Sequence, residues 1–311
     1  MPKFRRQGGI EMSWRIVYIE SADKMKLYLD NLKVIREEQE ILIPLSDIHT
    51  ILLDNQKTTV TASLINRLAE YHILIIFCDE KHLPNVYGIS PHGHYKNALV
   101  LSKQINWSEE IKGEMWQEII KVKIMNQASI LEYLRKDEKE ISRLHRIAED
   151  VTFADETNRE GYAAKMYFNE LFGDAFIRER DSYDGINSSL NYGYIVLRSC
   201  VARSVVAHGL QPSIGIGHHN QNNAFNLVDD LIEPFRPAID LWVSLVSGPD
   251  DLLTTSKKQQ LIHYITKNTV IIGEQKQTIL NAIDIVVQSY IKAMNNQNTE
   301  LLVCPTNVVA V

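Results

Sequence analysis

The chain has 311 residues, 45% of them hydrophobic and 23% charged, so it can bury a sizeable core and is long enough for two domains. Its formal net charge of −6 argues against a uniformly basic nucleic-acid-binding protein, although positive charge can still be concentrated on one face. Three widely separated cysteines offer neither a zinc-binding spacing nor a disulfide framework, so we expect a reducing, cytoplasmic setting. No apolar run reaches the roughly 18 residues typical of a membrane span, so no membrane segment is expected.

The N-terminal third has the pattern of a β-rich domain. Residues 1–11 are basic but precede no apolar core, so they are interpreted as a flexible leader or tag and not as a signal peptide. Over residues 12–100, short alternating or continuous apolar segments predict strands, interrupted by one helix at residues 60–71. Residues 101–107 are expected to form a linker to the next domain.

From residue 108 to residue 295 the apolar spacing is helical. Ser108 is the expected N-cap of the first long helix, because its hydroxyl can accept a hydrogen bond from a free backbone amide. The tail, residues 296–311, shows no helical period and is expected to be flexible. The fold class predicted is α+β, with a β-rich domain followed by a larger all-α domain at 108–295. Further helices are predicted at residues 138–150, 158–172, 186–208, 225–246, 254–266 and 273–295.

The segment at residues 215–237, GIGHHNQNNAFNLVDDLIEPFRP, holds the densest set of candidate metal ligands. These are His218, His219, Asp229, Asp230 and Glu233. Asp230 and Glu233 are three residues apart, so they share a face if the segment is helical. Pro234 is expected to kink or end that helix and so to fix the direction of the face. One imidazole with two carboxylates suits Mg²⁺ or Mn²⁺ better than zinc, because no thiolate is near.

A third candidate carboxylate, Glu160, lies in the segment NREGYAAKMYF at residues 158–168. The small residues that follow it, Gly161 and the pair Ala163 and Ala164, let helices approach closely, so this carboxylate can be buried between them. Ligands from three separate segments are how helical bundles build interior metal sites. Taken singly, each ligand has an ordinary structural explanation: Glu160 as a helix-start residue favoured by the macrodipole, His218 as a polar loop residue, and Glu233 as a surface residue before a proline.

Three motifs together resemble one known family. They are NREGYAAKMY, RSCVARSVVAHGLQP and GIGHHNQNNAFNLVDDLIEPFRP. The chain resembles the CRISPR-associated spacer-acquisition integrases, the "Cas-one" endonuclease/integrase family, and its HNQNNAFNLVDDL loop resembles the type II branch. The resemblance extends from about residue 12 to residue 295.

The resemblance implies a fold and a site. The fold is a small β-sandwich-like N-terminal dimerisation domain followed by an α-helical catalytic domain. The catalytic and metal-binding residues would be Glu160, His218 and Glu233, with Asp230 as a possible further ligand. His219 remains an alternative to His218, because either neighbour can face the metal. The cofactor would be Mg²⁺ or Mn²⁺.

The resemblance also implies an activity and partners. The protein would insert short foreign DNA fragments into a CRISPR repeat array, the 3′-hydroxyl of the fragment attacking a phosphodiester. Its partners would be double-stranded DNA, a second copy of itself, and a smaller adaptation subunit in a heterohexamer. A type II effector nuclease and an accessory DNA-end-binding protein would assist.

Two other functions are compatible with the same residues. A stand-alone metal-dependent nuclease acting on branched DNA in repair would use the same site with water as the nucleophile. A non-enzymatic scaffold would carry the acidic cluster only as a surface feature. Under the DNA-binding hypotheses, the candidate contacts to DNA are Arg198, Arg203, Lys257 and Lys258.

Overall fold

The computed structural model describes residues 15–80, 84–88, 96–179 and 184–308. The expected leader at residues 1–11 lies outside the described residues. The described part is an α+β protein with strands concentrated before residue 90 and helices after it, which confirms the predicted fold class. Within the described residues, no helix is both long and apolar enough to cross a membrane.

Two four-stranded sheets make up the N-terminal part. One sheet has the order β1-β5-β7-β8, in which β1, β5 and β7 run parallel and β8 is antiparallel; the other has the order β4-β3-β2-β6. Helix α1 (Ala62–Glu70) connects β6 to β7. The strands are β1 (Arg15–Ile19), β2 (Lys24–Tyr28), β3 (Asn31–Arg36), β4 (Gln39–Pro44), β5 (Ile48–Leu53), β6 (Thr59–Val60), β7 (Leu74–Cys78) and β8 (Pro84–Gly88).

Strand β5 is buried along its whole length, including the polar residues His49 and Thr50, so both of its faces are covered. On one face Ile51 shares a core with Met25 and with the second sheet. On the other face Leu52 joins the core of the helical part. The first sheet is therefore the layer between the second sheet and the helices, and it fixes the N-terminal part against the rest of the molecule.

Helix α3 is the central element of the C-terminal part. Its N-cap is Ser108, as predicted, with the hydroxyl accepting a 3.3 Å hydrogen bond from the amide of Ile111. It packs against α4, α5 and α8, so side chains on several of its faces are buried. The helices are α2 (Asn97–Asn106), α3 (Glu109–Tyr133), α4 (Glu138–Glu149), α5 (Arg159–Phe172), α6 (Gly185–Ala207), α7 (Asn226–Ile232), α8 (Arg236–Val246), α9 (Thr255–Lys267) and α10 (Ile279–Asn296).

The structure corrects the expected linker at residues 101–107. Most of this segment belongs to α2, and Trp107 is buried with its ring edge-on to Tyr290. Gln104 attaches the helix to the body of the protein, because its amide nitrogen donates to the carbonyl oxygens of Gln211 and Ile214, each at 3.1 Å. These contacts are long-range, and sequence spacing alone does not reveal them.

The structure also corrects the end of the all-α domain and the flexible tail. The last helix was expected to start at residue 273, but it begins only at Ile279. Residues 273–278 instead form the turn and second strand of a hairpin of β9 (Thr269–Ile272) and β10 (Gln275–Thr278). In the tail, β11 (Pro305–Asn307) pairs with β9, and Val308 is fully buried. Strand pairing and burial order a segment that has no helical period of its own.

Candidate active site

The loop that carries His218 is organised around the carboxylate of Asp230, which is fully buried on α7. Asp230 Oδ2 accepts hydrogen bonds from the backbone amides of Ile216 at 2.6 Å and Gly217 at 3.2 Å. Asp230 Oδ1 accepts from the amide of His218 at 2.9 Å and lies 2.8 Å from His218 Nδ1. With Nδ1 donating to the carboxylate, Nε2 is the ring nitrogen left to act as a ligand.

Two glycines allow this loop to pack closely. A β-carbon on Gly217 would lie 2.2 Å from the ring of Trp116, and one on Gly215 would lie 2.4 Å from the carbonyl oxygen of His218. Trp116 packs edge-on against the imidazole of His218, with ring centroids 5.4 Å apart. The imidazole is therefore fixed by Asp230 through hydrogen bonding and by Trp116 through packing.

Glu160 lies in the first turn of α5, and the preceding turn fixes where that helix starts. Asp155 is buried and accepts hydrogen bonds from the amides of Arg159 at 2.7 Å and Glu160 at 3.0 Å. Asn158, in the left-handed conformation at φ 50°, caps the helix by accepting from the amide of Gly161 at 3.2 Å. The carboxylate of Glu160 thus sits near the positive end of the helix dipole.

Glu233 lies in the 3-10 turn Glu233–Phe235, which separates α7 from α8. The predicted kink at Pro234 is confirmed, since proline has no amide hydrogen to continue the helix. Asn126 on α3 donates a 3.0 Å hydrogen bond to the carbonyl oxygen of Pro234 and so attaches the kink to the central helix. The side chain of Glu233 is only 2% exposed.

The carboxylates of Glu160 and Glu233 converge on the ammonium group of Lys123 on α3. Lys123 Nζ lies 2.5 Å from Glu160 Oε1 and 2.5 Å from Glu233 Oε2. It donates a hydrogen bond to Glu160, whereas Glu233 Oε2 is buried without a partner in hydrogen-bonding geometry. Arg236 Nε lies 3.0 Å from Glu233 Oε1. The two carboxylates therefore share one ammonium group, and one of their oxygens lacks a hydrogen bond.

The charges of this cluster support each other's ionisation. Burial by itself raises the pKa of Glu160, but the charge of Lys123 and its hydrogen bond outweigh burial, so the pKa is lowered. Burial by itself lowers the pKa of Lys123, but the charges of Glu233 and Glu160 raise it overall. The hydrogen bond with Asp230 raises the pKa of His218 against the opposing effect of burial.

The two adjacent histidines have different surroundings. His218 is half-buried, and the charges of Glu233 and Glu160 act on it. His219 is exposed, and its charge acts instead on Glu109 at the start of α3. Of the two, His218 is therefore the histidine that faces the carboxylates.

The donor set fits a divalent metal, although the side chains are not assembled around one position. Among residues 15–80, 84–88, 96–179 and 184–308, no three His, Cys, Asp or Glu side chains form a group that could hold a metal ion. Two carboxylates and an imidazole oriented by a third carboxylate are nevertheless the ligand chemistry of Mg²⁺ or Mn²⁺. The residues that could hold it are Glu160, His218 and Glu233. Asp230 is occupied by the loop amides and His218.

Two of the four basic residues expected to contact DNA are buried between the N-terminal sheet and the helices. Arg203 Nε donates a 2.8 Å hydrogen bond to the carbonyl oxygen of His72, and burial lowers the pKa of Arg203 to about 10. Lys258 Nζ lies 3.3 Å from Asp54 Oδ2. The expectation that Arg203 and Lys258 belong to an exposed DNA-binding face is therefore corrected: both connect the two parts of the protein.

The other two basic candidates are nearer the surface. Arg198 binds Asp229 through two contacts, at 2.6 and 2.7 Å, and donates a 2.9 Å hydrogen bond to Asn223, so it braces the loop after His218. Asp229 therefore pairs with Arg198 and not with the cluster of Glu160 and Glu233. Lys257 is half-exposed and lies 2.7 Å from Asp251.

Sequence reasoning missed Lys123 and Arg236, although a signal for Lys123 was present. Lys123 and Asn126 lie at helical spacing between Ile119 and Ile130 on a buried stripe of α3. A charged residue on such a stripe is rarely buried without a partner, so it indicates a buried counter-charge. No comparable signal distinguishes Arg236.

Comparisons with known proteins identify the family of this chain. The family model described as "CRISPR associated protein Cas1" matches residues 17–249. The CRISPR-associated endonuclease Cas1 of Neisseria meningitidis serogroup C is 35% identical over 300 residues, covering 94% of this chain and 96% of the relative. A Cas1 endonuclease of Francisella tularensis subsp. novicida is 28% identical, covering 66% of this chain and 70% of the relative.

Solved structures show the same fold at lower identity. A CAS1 protein from Thermotoga maritima has a TM-score of 0.75 at 18% identity and covers 90% of this chain and 97% of that one. A casposase bound to an integration product has a TM-score of 0.72 at 19% identity and covers 92% of each chain. From the matching family model and the Neisseria relative together, the chain belongs to the Cas1 family of CRISPR-associated proteins.

Proposed function

We propose that this protein is a metal-dependent DNA integrase and endonuclease that inserts short DNA fragments into a CRISPR repeat array. The observation that supports the proposal is that Glu160 and Glu233, from two separate segments, both contact Lys123 on the central helix, and that their charges act on His218 from a third segment. The name of the Neisseria relative, an endonuclease, and that of the casposase bound to its integration product support this activity.

In the proposed reaction, the 3′-hydroxyl of the fragment attacks a phosphodiester at the repeat boundary, and a 3′-hydroxyl of the repeat strand leaves. Glu160, Glu233 and His218 Nε2 would hold Mg²⁺ or Mn²⁺, which polarises the scissile phosphate and offsets the charge that develops on it. Asp230 keeps His218 Nδ1 protonated and its ring oriented, and so acts as a positioning residue. Arg236 holds the second oxygen of Glu233.

The same proposal includes partners. Relatives of this fold are found in a Cas6-RT-Cas1–Cas2 complex, which supports a smaller Cas2-type subunit and DNA as partners. For a homodimer, the strand β4 supplies a surface: it lies at the edge of its sheet, with Ile41 56% and Leu42 49% exposed. Such an apolar edge favours pairing with another chain.

The homodimer is tested by charging this edge. The double substitution Ile41→Lys and Leu42→Lys is expected to convert a dimer to a monomer in light scattering, because two desolvated charges oppose the pairing. Leu252→Lys, at another exposed leucine, is the control and is expected to leave the dimer unchanged. A dimer that persists in the double variant would place the interface elsewhere.

The activity is tested by strand transfer. The protein is mixed with its Cas2-type partner, a short duplex with free 3′-hydroxyl ends, and a supercoiled plasmid carrying a repeat, with Mn²⁺ or with EDTA. The proposal expects joined product only with Mn²⁺. Nicking or cleavage of branched DNA without joining would favour the stand-alone nuclease, and absence of both reactions together with no Mn²⁺ binding would favour the scaffold.

A further inference from the structure

The ammonium group of Lys123 occupies the space between the two carboxylates proposed as metal ligands. Its Nζ lies 2.5 Å from one oxygen of Glu160 and 2.5 Å from one oxygen of Glu233. A magnesium ion binds carboxylate oxygens at about 2.1 Å, so it needs the same oxygens at almost the same range. An ammonium group and a divalent cation cannot both be in contact with these two oxygens.

We propose that Lys123 is a built-in counter-ion that holds the metal position in the metal-free protein and must withdraw before the divalent cation binds. This inference rests on the proposed function. Without metal, two largely buried carboxylates close together need a positive partner, since an unpaired buried charge is strongly destabilising. Lys123 supplies that charge and keeps both carboxylates pointed at one position.

The structure gives Lys123 the means to withdraw. Its hydrogen bond goes to Glu160, the more exposed of the two carboxylates at 25%, and its contact with the buried Glu233 is an ion pair without hydrogen-bonding geometry. A lysine side chain has four flexible methylenes, so its ammonium can move while α3 stays in place. Arg236 and the hydrogen bond from Asn126 to the kink keep Glu233 in position during that movement. Lys123 is therefore a positioning residue, and it competes with the metal.

The test is the affinity for Mn²⁺ of the full chain, without DNA, measured by calorimetry in the wild type and in Lys123→Met. Methionine keeps the length of the side chain and removes its charge. The variant is expected to bind Mn²⁺ roughly tenfold more tightly, the factor that corresponds to about 1.4 kcal/mol. Its melting temperature is expected to fall in EDTA and to recover in Mn²⁺, with a larger metal-induced shift than in the wild type.

Lys121→Met is the matched control, because Lys121 lies on the same helix and forms an ion pair with Glu118, 2.8 Å away, at a position open to solvent. It is expected to bind Mn²⁺ as the wild type does. Equal or weaker binding by Lys123→Met, with normal binding by the wild type, would overturn the inference and leave the proposed function intact. No Mn²⁺ binding by either protein would overturn both.

A second variant keeps the inference testable if Lys123→Met folds poorly. Lys123→Met combined with Glu160→Gln removes one positive and one negative charge together. Its melting temperature in EDTA is expected to lie above that of Lys123→Met alone, because one of the two carboxylates that lost the ammonium group is now neutral. A double variant that melts no higher than the single one would show that Lys123 does not act as the counter-ion of Glu160.

Discussion

Two clusters of buried charge among the described residues, one at the domain junction and one at the candidate active site, differ in how completely their charges are matched. At the junction, the carboxylate of Asp54 pairs with one ammonium group, that of Lys258, and accepts a hydrogen bond from the hydroxyl of Tyr18. The ammonium of Lys258 also lies over the ring of Tyr192, 5.2 Å from its centroid. Both members of the ion pair are closed off, at 4% and 8% exposure.

At the candidate active site the matching is incomplete. Two carboxylates, Glu160 and Glu233, share the ammonium group of Lys123, one buried oxygen has no hydrogen bond, and Glu160 is open to solvent on one side. A closed, matched pair holds two parts of a fold together, whereas an open cluster, in which two carboxylates share one ammonium group, can exchange that group for another cation. Both clusters pair carboxylates with a lysine ammonium group, and they differ in the number of carboxylates per ammonium and in their access to solvent.

The largest expected effect comes from removing a charge of the open cluster. Glu160→Gln is expected to lower strand transfer by about a thousandfold or more, because loss of a metal ligand removes several kcal/mol of transition-state stabilisation. Folding is expected to remain intact, since Lys123 keeps Glu233 as its partner. The measurement is joined product per unit time with Mn²⁺, together with DNA binding and circular dichroism of the variant.

Glu156→Gln is the matched control for that substitution, because Glu156 is exposed four residues earlier. Full strand transfer is expected in it. Strand transfer retained in Glu160→Gln would mean that the open cluster is not the catalytic centre.

Removing a charge from the closed cluster is expected to lower the stability of the protein without changing metal binding. Lys258→Met leaves the carboxylate of Asp54 buried without its ammonium partner, which should cost about 3 kcal/mol of unfolding free energy. Affinity for Mn²⁺ is expected to stay unchanged. Urea denaturation and calorimetry measure the two properties on the same sample.

Lys257→Met tests whether burial causes the loss of stability in Lys258→Met. Lys257 is the adjacent residue, and it pairs with the solvent-exposed Asp251. No measurable loss of stability is expected there. If both lysine variants lost the same stability, or if Lys258→Met changed the affinity for Mn²⁺, the distinction between the two clusters would fail.

The expected effect that is confined to a window of pH concerns another buried carboxylate, Asp240, which accepts a hydrogen bond from the neutral hydroxyl of Tyr194. Burial raises the pKa of Asp240 from 3.8 to about 7, although Tyr194 and the charge of Lys123 oppose the rise. The folded protein therefore binds a proton that the unfolded chain releases. This group's contribution to stability is lost as pH rises from about 4 to about 7, and it is constant above that.

Asp240→Asn mimics the protonated side chain and removes this dependence. The unfolding free energy of the variant relative to the wild type is expected to increase by about 1.4 kcal/mol per pH unit in that window. Urea denaturation at pH 5, 6, 7 and 8 measures it. Parallel pH profiles for the two proteins would contradict a raised pKa and would mean that Asp240 is ionised in the folded protein, like the paired Asp54.

Local features were the part of the fold that could be predicted. The N-cap at Ser108 and the kink at Pro234 depend on one residue and its immediate neighbours, and both are confirmed. The predictions of a linker at residues 101–107 and of a flexible tail were wrong for one shared reason. The contacts that order them, from Gln104 to residues 211–214 and from β11 to β9, join segments far apart in the chain.

The sequence by itself determined which residue types are available at the site and that His218, Asp230 and Glu233 lie within one segment. It also predicted that Asp230 and Glu233, three residues apart, share a face if that segment is helical. Only the tertiary structure decided their roles. It directed Asp230 to the loop amides and His218, and it placed Lys123 between Glu160 and Glu233. It also buried Arg203 and Lys258 at the domain junction. The physical reason is that burial and the pairing of charges depend on which distant segments meet, and local spacing carries no record of that.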